Sequence, residues 1–280
     1  MTRATILIPA CNEAAVIGRT LLHLSRGASC DAFRIIVIAN GCSDTTAQVV
    51  KSVLPRAIVL QTQSAGKCNA LNLGFREAEA GKPVLCLDAD VDVTPHALHA
   101  LIAAVSTGSI HAACGQMDVD LETASLWVRS YYAGWQTNPY FDNGKFGGLF
   151  ALSAQGAAQV FPLPVVTADD ELVRRSFEPS DTAYIGACRF TVRAPRTLAS
   201  LLRVRRRSLR GAREVSALGF SSPERGSIGV VLRRAVQRPS LAFPVLVYAA
   251  MNAWVRISNA WHSPARNTSW DRDLTTRISS

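Results

Sequence analysis

Four consecutive apolar residues, Val84-Leu85-Cys86-Leu87, run into three carboxylates at alternate positions, Asp88, Asp90 and Asp92. A continuous apolar run of this length suits a strand buried on both faces of a parallel sheet. The acids then fall where the strand leaves the sheet, and in open α/β sheets ligands bind outside the carboxyl ends of the strands. Carboxylates clustered there repel one another unless a cation neutralises them. Hard oxygen ligands, with positions left for phosphate and water, suit Mg2+ or Mn2+. The D-x-D spacing is a weak pattern by itself, and a solvated acidic turn fits the same residues.

The chain before this run repeats its design. Thr5–Pro9, Arg34–Ala39, Ala57–Gln61 and Pro83–Leu87 read as strands. Between them, residues 13–25, 45–53 and 68–80 read as helices, and Thr94-Pro95, an N-cap followed by proline, opens another to about Val105. Alternating strands and helices argue for βαβ units and a parallel sheet. Each strand ends in a polar loop: Ala10-Cys11-Asn12-Glu13, Asn40-Gly41-Cys42-Ser43-Asp44, Gln63-Ser64-Ala65-Gly66-Lys67, then the acidic run. Four such loops line one edge of the sheet. Asn12 reads as the N-cap of the first helix, and Ser43 or Asp44 as the cap of the second.

Further on, residues 112–119 and 184–192 read as strands. Residues 121–140, with Trp127, Tyr131, Tyr132, Trp135 and Tyr140, read as a helix, as do 153–160. Gly147-Gly148-Leu149-Phe150-Ala151-Leu152-Ser153 is small and apolar, so its backbone can approach a ligand or strand closely. Thr167, three residues before Asp170, resembles a capping box for a helix that stops near Pro179.

Beyond Arg193 the character changes. The chain of 280 residues has a formal charge of +9, but thirteen Arg against two Glu lie between Arg189 and Arg238, so that stretch carries +11 and the remainder −2. Such a region fits nucleic acid, anionic lipid or a phosphorylated substrate. Leu241 to Val255 is apolar, is interrupted by Pro244 and ends at Arg256, which fits either a buried helix or one lying in a membrane interface. No run of eighteen apolar residues occurs, so a spanning helix is not expected. The residues from Ser263 read as a loosely held tail. The expected division is a domain over 1–192 and a basic, mainly helical extension over 193–280. Seven scattered cysteines, including Cys30, without a C-x-x-C, argue against a zinc site or disulfide framework and fit reduced thiols in a cytoplasmic protein. The apolar stretch before Cys11 is too short for a signal-peptide core.

Several of these loops resemble, in order, the motifs of family 2 glycosyltransferases. Ile8-Pro9-Ala10-Cys11-Asn12-Glu13 resembles their P-A-x-N-E start, and Asn40-Gly41-Cys42-Ser43-Asp44-Thr45-Thr46 their second-strand loop. Ala65-Gly66-Lys67-Cys68-Asn69-Ala70-Leu71-Asn72 resembles G-K-x-x-A-L-N, and Asp88-Ala89-Asp90 the D-x-D. Ala168-Asp169-Asp170-Glu171-Leu172 resembles the later E-D motif. The match runs over about residues 4–192. The resemblance implies an α/β fold of GT-A type, with a mostly parallel central sheet flanked by helices. It also implies a UDP- or GDP-linked sugar donor, a divalent cation (Mn2+ or Mg2+) and an acceptor hydroxyl, lipid-linked acceptors included.

By that resemblance Asp90 is the direct metal ligand. Asp88 holds the ribose or a metal-bound water, and Asp92 is solvated or supporting. Asp170 is the general base and Asp169 its neighbour, where the family usually has Glu. Pro9, Asn12, Glu13, Asn40, Asp44, Gly66, Lys67, Asn69, Asp88 and Gly148 surround the nucleotide-sugar. A glycine-bearing loop at a helix start suits Lys67 to phosphate, while a solvated loop lysine is the other reading. Asp169 and Asp170 also fit acids that merely favour a helix N-terminus.

Two departures matter. Ala39-Asn40 stands where Asp-Asp is common, which leaves the donor base open. The Q-x-x-R-W motif of polymerising members is absent, which places addition of a single sugar ahead of processive synthesis. His96 and His99 are expected at the surface, and His262 lies in the region from which a third metal ligand could come. Sugar-1-phosphate nucleotidyltransferases share a related core but need a glycine-rich, Arg-bearing start that residues 9–13 lack. A non-enzymatic basic module binding membrane or nucleic acid is the remaining alternative. The arginines are not interleaved with aromatics as in single-strand binders, so nucleic acid is disfavoured and anionic lipid at the inner face of a membrane is preferred.

Overall fold

The structure, a computed structural model, describes residues 4–26, 32–139, 144–221 and 228–261. Cys30, Tyr140, His262 and the tail from Ser263 lie outside the described residues.

The first of two compact units takes the described residues up to 118 together with 144–192. It alternates as the sequence predicts: β1 (Ala4–Ala10), α1 (Ile17–Leu24), β2 (Phe33–Asn40), α2 (Thr46–Val53), β3 (Ile58–Thr62), α3 (Lys67–Arg76) and β4 (Val84–Leu87). A two-residue strand β5 (Asp92–Val93), α4 (Pro95–Val105) and β6 (Ala112–Asp120) follow. After the excursion into the second unit come β7 (Leu149–Leu152), α6 (Ala154–Val160), α7 (Asp169–Arg175) and β8 (Thr182–Arg193). All eight strands form one sheet in the order β3-β2-β1-β4-β7-β6-β8-β5.

β3-β2-β1-β4 are mutually parallel, and β6 and β8 advance in the same direction, the His111 N–H meeting the Asp181 carbonyl at one end and the Ala194 N–H the Asp120 carbonyl at the other. β7 runs antiparallel to both β4 and β6, and β5 antiparallel to β8. The strand predicted to be buried on both faces, β4, is buried along its whole length, and so is β1. Ile6, Ile8, Val37, Leu85, Leu98 and Phe190 belong to one core cluster. The edge strand β3 is only half-buried, as expected where one side lacks a neighbour.

Several predicted boundaries move. α1 begins at Ile17 rather than at residue 13, because Glu13 first closes a turn whose carbonyl accepts the N–H groups of Val16 and Ile17 at 3.0 and 2.9 Å. α3 stops at Arg76 rather than at residue 80, where the Glu79 N–H turns back to the Thr5 hydroxyl. Thr94 caps α4 as predicted, accepting the Ala97 N–H at 3.3 Å. The predicted capping box at Thr167 is absent: α7 begins after Ala168, with no side-chain bond at that cap. His96 is exposed, but the half-buried His99 ring packs 4.9 Å from Phe33.

The second unit takes described residues from 119–143 and from 193 onward. The described residues 119–139, expected in the first domain, therefore cluster with the C-terminal helices. It contains α5 (Leu126–Trp135), α8 (Leu198–Ala217), α9 (Ile228–Gln237) and α10 (Ala242–Trp261). α5 is half as long as residues 121–140 suggested, because Asp120 binds the Glu122 N–H and holds a turn first. α10 lies against α5, with Val245, Val247, Met251 and Val255 buried. Tyr131 is buried beside the Tyr248 ring at 5.4 Å and under the Arg205 guanidinium at 6.0 Å.

The apolar segment does not end at Val255, and Pro244 does not break it. A proline in the first helical turn removes no intrahelical bond. The resulting run Pro239–Asn259, 21 residues, is by length and composition enough to cross a membrane, which corrects the expectation of no such helix.

Gly134 marks a close approach in this unit. A Cβ there would stand 2.3 Å from the Pro244 carbonyl oxygen and 2.8 Å from Tyr248 Cβ. Alanine is the better helix former by about 1 kcal/mol, yet Gly134→Ala is expected to lower stability by about 1–2 kcal/mol in urea unfolding, since backbone must move. An unchanged or raised midpoint would contradict this packing of α10 on α5.

Candidate functional site

Because β1 to β4 are parallel, their carboxyl ends and the loops that follow share one edge of the sheet. The first loop leaves β1 through Asn12, whose φ of +51° is the left-handed conformation that asparagine tolerates. Its Oδ1 accepts the Ser43 N–H at 2.7 Å, the Ser43 hydroxyl at 3.3 Å and the Asp44 N–H at 3.3 Å. Asn12 is therefore not the cap of α1; its side chain ties the first loop to the second. Asp44 returns the tie, accepting the Ala14 N–H at 3.1 Å and the N–H of Thr46, the first residue of α2, at 3.0 Å. Burial resists its ionisation, but the Thr46 hydroxyl and these N–H groups outweigh that and hold its carboxyl below the usual range. Glu13 is buried, and its N–H donates to the Thr46 hydroxyl at 2.8 Å.

Asn40 ends β2 fully buried. Its Nδ2 donates to the Gly66 carbonyl at 3.2 Å, while its buried Oδ1 has no hydrogen-bond partner. A cavity of about 140 Å³ opens nearby, lined by Ala39, Cys42, Gln61, Thr62 and Gln63. Pro9 is buried within β1, paired with Ile38. Asn69 turns back to the Ala65 carbonyl at 3.3 Å.

The centre of the edge is Lys67, the first residue of α3. Its Nζ lies 2.7 Å from Asp88 Oδ1 and 3.0 Å from Asp169 Oδ1. The side chain of Asp169 is 3% exposed and that of Asp88 35%. Burial first, then the negative charges of Asp170 and Asp88, push the Asp169 carboxyl up to about 6 against the pull of Lys67. Removal from solvent works against the Lys67 ammonium, but the negative charges of Asp169, Asp88 and Asp170 outweigh it and hold the group well above its ordinary range. Asp169 Oδ2 is buried with no hydrogen-bond partner. Asp170, the next residue, accepts the Glu171 N–H at 2.9 Å through Oδ1. Its Oδ2 lies 3.1 Å from where a Cβ on Gly147 would stand. The neighbouring Gly148, at φ +86°, presents its carbonyl to the Asp88 N–H at 2.8 Å. A side chain there would be strained and would meet Val91.

Residues that the sequence reading passed over hold these acids in place. Arg19 Nε binds Asp92 Oδ1 at 2.9 Å and its Nη2 reaches the Asp90 carbonyl at 3.3 Å. The buried Thr20 hydroxyl donates to the Ala89 carbonyl at 2.9 Å. The inner face of α1 thus fixes the backbone of the D-x-D loop, and Asp92 serves that anchoring. On the other side, Asn72 forms a paired bond with the Leu163 backbone at 2.9 and 2.7 Å. The Cys68 thiol, raised to about 11 chiefly by burial and therefore protonated, donates to the Val166 carbonyl at 3.4 Å. α3 thereby holds the segment that delivers Asp169 and Asp170. A polar residue on the buried face of α1, such as Thr20, was the available signal.

No group of three or more His, Cys, Asp or Glu among the described residues is placed to hold a metal unaided. Asp88 and Asp90, both half-buried on one loop at the sheet edge, offer hard carboxylate oxygens. That donor set fits a divalent cation whose remaining positions are filled by ligand oxygens and water.

Residues 5–158 match the family model described as "Glycosyl transferase family 2". No curated protein matched the sequence. Among solved structures, a mannosyltransferase from Pyrobaculum calidifontis in complex with GDP-Man and Mn2+ is 17% identical, covers 94% of this chain and 82% of its own, and superposes with a TM-score of 0.59. The glucosyl-3-phosphoglycerate synthase of Mycobacterium tuberculosis, in complex with Mn2+, UDP and glucosyl-3-phosphoglycerate, is 18% identical over 80% and 81% of the two chains, with a TM-score of 0.56. At these identities the likeness is one of fold.

Removing the ammonium would leave a buried carboxylate without its partner. Lys67→Met is expected to cost about 3 kcal/mol of stability in urea unfolding, and Lys67→Met/Asp169→Leu to recover most of it. A single variant as stable as the parent would refute the triad.

Proposed function

This chain belongs to glycosyl transferase family 2, and we propose that it moves one sugar from a nucleotide-sugar to an acceptor hydroxyl by a single, inverting displacement. The observation that carries the reading is the convergence at Gly147-Gly148. Asp88 meets Gly148 through its N–H, and Asp170 lies over Gly147. An acid on the D-x-D loop and an acid at the start of α7 thus flank one short stretch of backbone.

In this reading Asp170 takes the proton of the acceptor hydroxyl as that oxygen attacks the anomeric carbon from the face opposite the diphosphate. The new C–O bond forms as the bond to the diphosphate breaks, and the nucleoside diphosphate leaves with the bonding electrons. Asp170 suits a base because only one of its oxygens is engaged by the Glu171 N–H. Asp169 does not compete for that role, since it faces Lys67 and is buried. Lys67 keeps Asp88 and Asp169 from repelling Asp170 out of position.

Asp90 and Asp88 would hold the divalent cation, which when bound neutralises charge developing on the diphosphate. The structural neighbours crystallised with Mn2+ and GDP-Man or UDP support this donor class. The loops of Asn12, Asn40, Asp44 and Gly66 would surround the nucleoside, with the cavity beside Asn40 for its base. Asn40 in place of a carboxylate leaves both UDP- and GDP-linked donors in view. We assign the reaction to glycan, exopolysaccharide or glycolipid synthesis.

The test is transfer measured across a panel of nucleotide-sugars. Asp170→Asn should bind donor as the parent does and lose about 10²–10⁴-fold in transfer rate, and the product's anomeric configuration, read by NMR, should be inverted. A retained configuration, or an Asp170→Asn variant of near-parental rate, would refute the mechanism.

A further inference from the structure

The second unit carries a surface that transfer chemistry does not use. α10 buries one side against α5, α8 and α9, but its other side leaves Phe243, Leu246, Trp254 and Ile257 each more than half exposed. With the exposed Ala250 between them, these positions recur at three- and four-residue steps and form one continuous stripe. Trp127 of α5, 55% exposed, extends it, its ring 6.1 Å from that of Phe243. Leu126 beside it is 79% exposed. A contiguous apolar surface of this kind marks an interaction site.

The charge around the stripe narrows the partner. The described residues of this unit carry thirteen Arg, no Lys and three acids, Asp120, Glu122 and Glu214. Arg256 is exposed near the end of the stripe, and Arg129, Arg233 and Arg238 are exposed on α5, α9 and the turn into α10. Near the start of α10 a cavity of about 480 Å³ is lined by Gln136, Thr137, Arg234, Arg238 and Leu241 among others, with Arg234 held by the Thr137 carbonyl at 2.9 Å. A second copy would bring like charge against like charge. Nucleic acid would satisfy the arginines and leave the tryptophans and aliphatics in water.

We propose that this face docks in the interface of an anionic phospholipid bilayer, with α10 lying in the membrane plane. Phe243, Leu246, Trp254, Ile257 and Trp127 enter the boundary between headgroups and acyl chains, where tryptophan is favoured. Arg129, Arg238 and Arg256 meet headgroup phosphates. The helix is long enough to span, but spanning would strip Val245, Met251 and Val255 from α5 and open the Gly134–Pro244 contact. The inference stands apart from the transfer reaction.

Flotation of the full chain with vesicles of phosphatidylcholine alone, or mixed with phosphatidylglycerol, tests it. Binding is expected to the mixed vesicles only, and to weaken at high salt. Phe243→Ser/Leu246→Ser/Trp254→Ser should lower the bound fraction about tenfold while keeping the parental circular dichroism and nucleotide-sugar turnover. In the unmodified chain, acyl-chain-brominated phosphatidylglycerol should quench tryptophan fluorescence, and less so after Trp127→Phe/Trp254→Phe. Absence of vesicle binding, equal binding by the triple variant, or wild-type self-association in its place would overturn the proposal.

Discussion

One ammonium group decides how the functional edge is built. Lys67 Nζ touches Asp88 and Asp169, acids delivered by different elements, and Asp169 is almost fully removed from solvent. A buried carboxylate next to two others is unfavourable without a cation at hand. The place of Asp170 follows from that of Asp169, since both open the same short helix. The place of Lys67 follows from the start of α3, which β3 and the Gly66 turn deliver to the sheet edge.

Around that centre the loops are laced together rather than left to solvent. Asn12 and Asp44 exchange hydrogen bonds between the first and second loops, and Asn40 reaches the third through Gly66. α1 grips the fourth from beneath through Arg19 and Thr20, and α3 grips the segment before α7 through Asn72 and Cys68. Polar side chains held in this way have their geometry set before any ligand arrives, which is the requirement for electrostatic preorganisation. The orphaned oxygens of Asn40 and Asp169 are the places where this satisfaction is incomplete.

Much of the first unit was legible because its strands are unbroken apolar runs and its helices amphipathic, so Val84–Leu87 and Thr5–Pro9 announce themselves. The D-x-D loop and Lys67 could be placed on one edge because parallel strands put their carboxyl ends on the same side, whereas the Asp169-Asp170 pair was placed there by the family resemblance alone. Residues whose roles depend on distant partners were not legible. Asn12 looks like a helix cap until the Ser43 backbone is beside it, and nothing in the sequence pairs Lys67 with the distant Asp169. Thr167-x-x-Asp170 has capping-box spacing, yet Asp170 bonds the Glu171 N–H instead. The strands beyond β4 carry no periodicity that states their partner. The reach of α10 was underestimated because a mid-segment proline was read as a break, although it falls in the first turn.

We propose that the edge formed by the carboxyl ends of β1 to β4 holds a nucleoside diphosphate together with a divalent cation. Calorimetric titration of the full chain with GDP and with UDP, in Mn2+ and again after chelation, addresses it most directly. One-site binding of at least one of the two, dependent on the cation and lost in Asp90→Ala, is the expected result. Binding of equal strength with and without the cation, or no binding of either nucleotide, would contradict it.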